Sequence, residues 1–254
     1  GWYVWNRPLS GGGRQRRVLL KSDFSVEGKP TGWHHITAIR LSPWRGASRS
    51  TQVVLYGLTA HVDPIVVVSG SSSAKGDAAT AAVARRTAQR VSRWLKELGV
   101  SHRLVDDDDA AGGALGEATI AILPYNPWPT ARTMKALQAF VRGGGKLIVC
   151  YSADPALADL LGFKLGNYIR ATAPGRWSAM EFETPMAWCM PRRVLQKSSN
   201  LMPAYPAAQD AKVLAWWTDE KGKRAPEPAW VVSERGAWMS HVLLEDDPAG
   251  KLRL

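Results

Sequence analysis

Apolar and polar positions change period along this chain, and the clearest pattern lies in its middle. Pro64-Ile65-Val66-Val67-Val68-Ser69-Gly70 places four consecutive aliphatics before a Ser/Gly cluster, as expected of a strand buried on both faces in a parallel sheet. From Asp77 onward the larger apolar residues fall at Val83, Val91, Trp94, Leu95 and Leu98, on one helical stripe. Arg85, Arg86, Arg90, Arg93 and Lys96 take other directions, and Gly99 supplies the stop. A strand over 100–105 completes a β-α-β unit and predicts a doubly wound α/β domain. The pattern continues with a strand at Ala118–Leu123, a helix at Thr130–Val141, and Gly143-Gly144-Gly145 before a strand at Lys146–Cys150. Asp154 and Pro155 then read as the N-cap and first residue of a short helix ending near Gly162.

The flanks have a different character. Residues 1–63 alternate short strand candidates (Arg17–Leu20, Trp33–Leu41, Thr51–Tyr56) with Gly/Pro/Ser segments, which predicts part of a β-sandwich. Residues 64–254 form the α/β domain. Within it, strands are expected at Ser178–Glu183, Lys212–Trp217, Ala229–Val232 and Ala237–Val242, with an irregular, proline-punctuated stretch from Pro185 to Pro206. Gly1-Trp2-Tyr3-Val4-Trp5 reads like mid-strand and the last residues like the first turns of a helix. The expectation is that both ends are cuts through a longer protein and that residues 1–63 form an incomplete sandwich whose open edge is capped by the α/β domain or by another copy.

Composition adds three constraints. At 254 residues, 45% hydrophobic and 22% charged, the chain can bury a sizeable core. No apolar run approaches the roughly 20 residues that span a membrane, so no membrane partner is expected. The net charge of +11 permits polyanion binding. The basic residues are scattered without any nucleic-acid-binding signature, so no specific nucleic acid is expected. Cys150 and Cys189 are too few for a disulfide framework.

In a doubly wound sheet, ligands sit at the carboxyl ends of the strands. Three such ends, 69–73, 125–128 and 150–152, are rich in hydroxyl, amide and aromatic groups. Ser69, Ser71, Tyr125, Asn126, Tyr151 and Ser152 are therefore the candidates for a polar crevice holding a neutral ligand such as a sugar. The serine loop carries neither a Walker A motif nor a Gly-x-Gly-x-x-Gly fingerprint, and no cofactor is expected. Asp106 to Asp109 read as a solvated loop rather than a metal site. Glu181 and Glu183 share one strand face, where paired carboxylates are ordinarily solvated. An alternative assigns a thiol- or hydroxyl-dependent hydrolase to Cys150 or Ser152 with His241.

Three resemblances sharpen these expectations. Gly32 to Gly46, with its Ile-Arg-Leu-Ser-Pro-Trp-Arg-Gly core, resembles the last strands of galactose-binding-like jelly-roll modules, in which Trp33 and Trp44 could stack on sugar rings. The order of elements and the Gly-Gly-Gly-Lys-Leu-Ile-Val-Cys strand resemble the class I glutamine amidotransferase-like, flavodoxin-like fold. Working members carry a nucleophile in a Gly-x-Cys-x-Gly turn with a later His and Glu. Here Val149 and Tyr151 flank Cys150, and Val-Leu-Leu separates His241 from Glu245, so catalytic residues are not expected. The stretches 191–200, 214–222 and 236–248 resemble multidomain bacterial proteins in which such a domain stands between a jelly-roll and a glycoside-hydrolase barrel. The resemblance implies a non-catalytic, carbohydrate-associated scaffold attached to a barrel domain outside this chain. It also implies a secreted or periplasmic location and a homo-oligomer, since the related domain in some β-galactosidases mediates trimer formation.

Overall fold

The computed structural model describes residues 1–6, 13, 17, 19, 23–32, 35–43, 54–58, 64–74, 77–183 and 190–254. It divides into two units, Gly1–Val62 and Asp63–Leu254.

In the first unit, β1 (Trp2–Val4) pairs antiparallel with β2 (Ser25–Glu27), and the Ser25 hydroxyl donates to the Val4 carbonyl at 3.1 Å. The strand expected over Trp33–Leu41 does not form at 35–41, and residues 54–56 of Thr51–Tyr56 are also outside strands. Ile36, Ile39, Leu41, Val54, Leu55 and Tyr56 are exposed there, whereas strand formation by apolar side chains depends on a half-buried surface. Most of Arg17–Leu20 lies outside the described residues.

The second unit holds β3 (Ile65–Ser69), α1 (Ala78–Glu97), β4 (Arg103–Asp106), α2 (Asp107–Asp109), β5 (Ile120–Leu123), α3 (Ala131–Arg142), β6 (Lys146–Val149) and α4 (Pro155–Leu160). There follow β7 (Phe163–Leu165), β8 (Ile169–Arg170), β9 (Trp177–Phe182), β10 (Arg193–Ser198), β11 (Asn200–Leu201) and β12 (Ala204–Pro206). The unit closes with β13 (Lys212–Thr218), β14 (Arg224–Ser233), β15 (Gly236–Met239) and α5 (Pro248–Lys251). One nine-stranded sheet runs β10-β9-β13-β14-β15-β6-β5-β3-β4. Its last five strands are parallel and its first four antiparallel.

Alternation along the parallel strands feeds two layers. Val66 and Val68 join Leu137 of α3 and Leu157 of α4 on one face, while Val67 meets Ala88 and Val91 of α1 on the other. Asp77 caps α1 by accepting from the Ala79 and Thr80 N–H groups, and Gly99 stops the helix with φ +69°. Thr130 and Asp154 cap α3 and α4 likewise. Trp177, Trp217 and Trp238 are fully buried, each with its indole N–H bonded: to Glu227 Oε2 (3.2 Å), Ser240 Oγ (2.7 Å) and the Met202 carbonyl (3.2 Å).

The edge strand β10 is sealed by the chain's last turn. Leu195 N–H donates to Asp247 Oδ2 at 3.1 Å, Lys197 N–H to Asp246 Oδ2 at 3.3 Å, and Lys251 Nζ to the Leu195 carbonyl at 3.1 Å. Lys251 also donates to the Asp246 carbonyl, and burial lowers its pKa to about 8.

Candidate functional site

The parallel strands stand in spatial order β4-β3-β5-β6-β15, so β4 lies on one side of β3 while the strands that follow it in the chain, from β5 on, lie on the other. The strand order reverses between β3 and β5, and in such a sheet ligands ordinarily sit beyond the carboxyl ends at that point. The segments found there are the turn after β3 (Gly70–Ala74), the segment after β5 (Pro124–Trp128) and the segment after β6 (Cys150–Ala153).

Asn126 ties the three ends together. Its amide, oriented to satisfy both ends, accepts from Gly70 N–H and donates to the Val68 and Tyr125 carbonyls, each at 3.2 Å, while its own N–H donates to the Tyr151 carbonyl at 3.1 Å. It is 1% exposed. Gly70 is required by this closeness: a Cβ there would lie 2.7 Å from the Tyr125 carbonyl oxygen and 3.1 Å from Asn126 Cα.

The serine turn is held from below by Asp107, which the sequence placed in a solvated loop. The structure corrects this: Asp107 is 1% exposed, accepts from the Ser72 and Ser73 N–H groups at 2.8 Å each, and pairs with the Ser73 hydroxyl. Burial raises its pKa, outweighing these donors. Its donors sit about 35 residues upstream, so no local pattern around 106–109 announces them; Asp106 and Asp109 do face solvent more openly. Tyr125 and Tyr151 stack with ring centroids 5.3 Å apart. Burial, and then the Asp77 charge, raises the Tyr125 pKa; burial, then Tyr125 and Tyr168, pushes Tyr151 up to about 12. Both phenols are thus neutral donor-acceptors at ordinary pH, and Trp128 stands exposed beside them in the chain.

The other expected residues take separate places. Ser71 is half-buried in the turn, whereas Ser69 is buried with its hydroxyl unpartnered among the described residues. Ser152 is buried, donating to the Pro127 carbonyl and accepting from Asp154 N–H, both at 3.3 Å. Cys150 lies in the apolar cluster with Trp177, Phe182 and Trp230, and burial pushes its thiol up to about 12. His241 Nδ1 donates to the Val242 carbonyl at 2.9 Å, which also accepts from Gln196 Nε2 at 2.9 Å, and burial lowers the His241 pKa. No hydrogen bond joins Cys150 to His241 among the described residues. Trp33, Trp44 and Cys189 lie outside the described residues. Among the described residues no group of three or more His, Cys, Asp or Glu side chains is arranged to hold a metal ion, and no helix is long and apolar enough to cross a membrane.

No family model matches the chain, and no curated protein matches it. Solved structures do. A ThuA-like protein from Bacteroides uniformis matches at TM-score 0.50 and 14% identity, over 74% of this chain and 86% of that one. The α-L-fucosidase isoenzyme 2 from Paenibacillus thiaminolyticus matches at TM-score 0.50 and 14% identity, over 71% of this chain but 29% of the fucosidase. A glutamine amidotransferase from Methylobacillus flagellatus aligns over 72% of each chain at TM-score 0.42 and 11% identity. The sheet order, its helices and the likeness to the ThuA-like protein agree: the second unit has a flavodoxin-like α/β fold.

Proposed function

We propose that this chain is a non-catalytic, carbohydrate-associated part of a larger glycoside hydrolase, binding a neutral sugar in the crevice over β3, β5 and β6 and serving as scaffold for the remaining domains. The observation that carries this reading is the stacking of the Tyr125 and Tyr151 rings, which sets two neutral phenols on the segments that follow β5 and β6. Aromatic surface suits the apolar face of a pyranose, and neutral hydroxyls exchange hydrogen bonds with its hydroxyl groups. The fucosidase, in which the shared fold occupies 29% of the chain, supports the carbohydrate context.

Chemistry by Cys150 or Ser152 with His241 has less support. Nucleophilic catalysis needs an activated thiol or hydroxyl within reach of its base. The Cys150 thiol is 1% exposed with its pKa near 12, the Ser152 hydroxyl is engaged by backbone at both lone pair and proton, and His241 is bonded to Val242. Calorimetric titration with neutral mono- and oligosaccharides tests the reading, and Tyr151→Ala should abolish any binding seen. Glutamine or ester hydrolysis lost in both Cys150→Ala and His241→Ala would replace the scaffold by an enzyme.

A further inference from the structure

α1 rests chiefly on β3 and β4, and beyond them an apolar cavity of about 630 Å³ lies between the helix and the strands β5, β6, β15 and β14. Val91 and Leu95 of α1 border it with Ile122, Ile148, Ala237 and Trp230 of the strands, and residues 251–254 of the same chain line it too. The first residues of β3, β5, β6 and β15 also border it, so it reaches the end of the sheet opposite the tyrosine-bearing segments. Val91, Ile122 and Trp230 are buried although they border the cavity. The space between them is therefore narrow, of a width for a small molecule and not for another layer of polypeptide. Ligand cavities are typically roughly 300–1,000 Å³, mostly apolar, with a few polar groups that fix orientation.

One polar group in the wall is unexplained. The indole N–H groups of Trp177, Trp217 and Trp238 are all bonded, whereas that of Trp230, 8% exposed, has no partner among the described residues. A buried donor without an acceptor costs folding free energy, so native proteins rarely leave one. Water is a poor partner here: it needs two or more polar groups, and Trp230 packs in an apolar cluster with Cys150, Phe182 and Leu214. We propose that the cavity binds a small, uncharged, largely apolar molecule whose one hydrogen-bond acceptor, such as a ketone oxygen, takes the Trp230 indole proton. The absence of charge follows from the lining. Cys150, 1% exposed, is neutral because burial pushes its thiol up to about 12. The Lys146 and Lys251 ammonium groups are already bonded to the Glu234, Leu195 and Asp246 carbonyls, while Arg253 and the Glu234 side chain stand exposed at the rim. An ion drawn into the apolar interior would be stripped of water without a partner there.

The probe is prodan, a neutral naphthyl ketone whose fluorescence reports its surroundings, with a propylnaphthalene of similar shape but no oxygen as competitor. Titration of the whole chain should give saturable one-to-one prodan binding that the propylnaphthalene displaces. Trp230→Phe, which keeps a ring and removes the donor, should weaken prodan by about fivefold while leaving the affinity of the propylnaphthalene unchanged. Ala237→Leu should fill the cavity and abolish binding of both. Should that variant lose its near-ultraviolet circular dichroism, Leu95→Trp narrows the same space from the helix side. Tyr151→Ala, which tests the sugar reading, should leave prodan binding unchanged. Absence of saturable binding overturns the proposal, as does binding that neither Ala237→Leu nor Leu95→Trp alters. Loss of prodan binding in Tyr151→Ala would place the dye at the tyrosines and overturn it too. Equal weakening of both compounds by Trp230→Phe would refute the role of the indole proton.

Discussion

Lys251 gives the fold a measurable dependence on pH. It is 4% exposed, and burial holds its pKa near 8 against an ordinary 10.5. Between those values the unfolded chain binds more protons than the folded one, so stability rises with pH across the interval. Integrated from pH 7 to pH 10, this lysine alone adds about 2–3 kcal/mol. Cys150 acts in the opposite sense: burial lifts its pKa from 9.0 to about 12, so above pH 9 the unfolded thiolate draws stability away, by about 1 kcal/mol at pH 10. The parent's slope is therefore the smaller net of two terms, and variants separate them. Urea unfolding at pH 7, 8, 9 and 10, followed by near-ultraviolet circular dichroism, should show Lys251→Met losing stability relative to the parent as pH rises. Cys150→Ala should gain on it. Parallel pH profiles for the parent and Lys251→Met would mean that the ammonium is solvated, and the description of β10 sealed by a buried lysine would fall with it.

Gly70→Ala should lower stability by about 1–3 kcal/mol, since a Cβ 2.7 Å from the Tyr125 carbonyl forces the β3 and β5 ends apart; an unchanged urea midpoint would refute that closeness. For Asp107, whose folded pKa is raised above 3.8, the folded state keeps its proton to higher pH, so its contribution to stability declines as pH climbs past 3.8. Asp107→Asn should flatten that acid limb and, by loosening the 71–73 turn, weaken sugar binding. Iodoacetamide should leave Cys150 unmodified at neutral pH until urea unfolds the unit. Any affinity for DNA should be indifferent to sequence and lost in moderate salt, as scattered basic residues dictate.

The α/β layer was legible because its signals are local. Val66-Val67-Val68, the Asp77 and Thr130 caps, and Asp154-Pro155 each declare an element within a few residues, and the observed β3, α1, α3, β6 and α4 lie within a residue or two of those signals. The antiparallel half was harder. β10 lies within the proline-punctuated stretch that read as irregular, because its exposed residues Arg193, Leu195 and Lys197 carry no polarity contrast of their own. β14 extends from Arg224 to Ser233, beyond the expected Ala229–Val232, across two prolines that break the apolar run. At the site, Tyr125 and Tyr151 could be placed by their position after strands. Asp107 could not, because its burial depends on N–H groups at Ser72 and Ser73 that only the tertiary fold delivers.

The Asn126 tie also bears on how this unit opens. Gly70 N–H is held by the Asn126 side-chain amide and Asn126 N–H by the Tyr151 carbonyl, so the residues just after three adjacent strands are linked through one residue. Ordinarily strand ends fray independently and their amide protons exchange with solvent sooner than those of strand centres. Here the Gly70 amide proton is released only when the β3 and β5 ends part, and that of Asn126 only when the β5 and β6 ends part. These positions should therefore exchange with opening free energies close to that of the sheet's interior, making this end of the sheet part of the slowest-exchanging unit rather than its frayed margin.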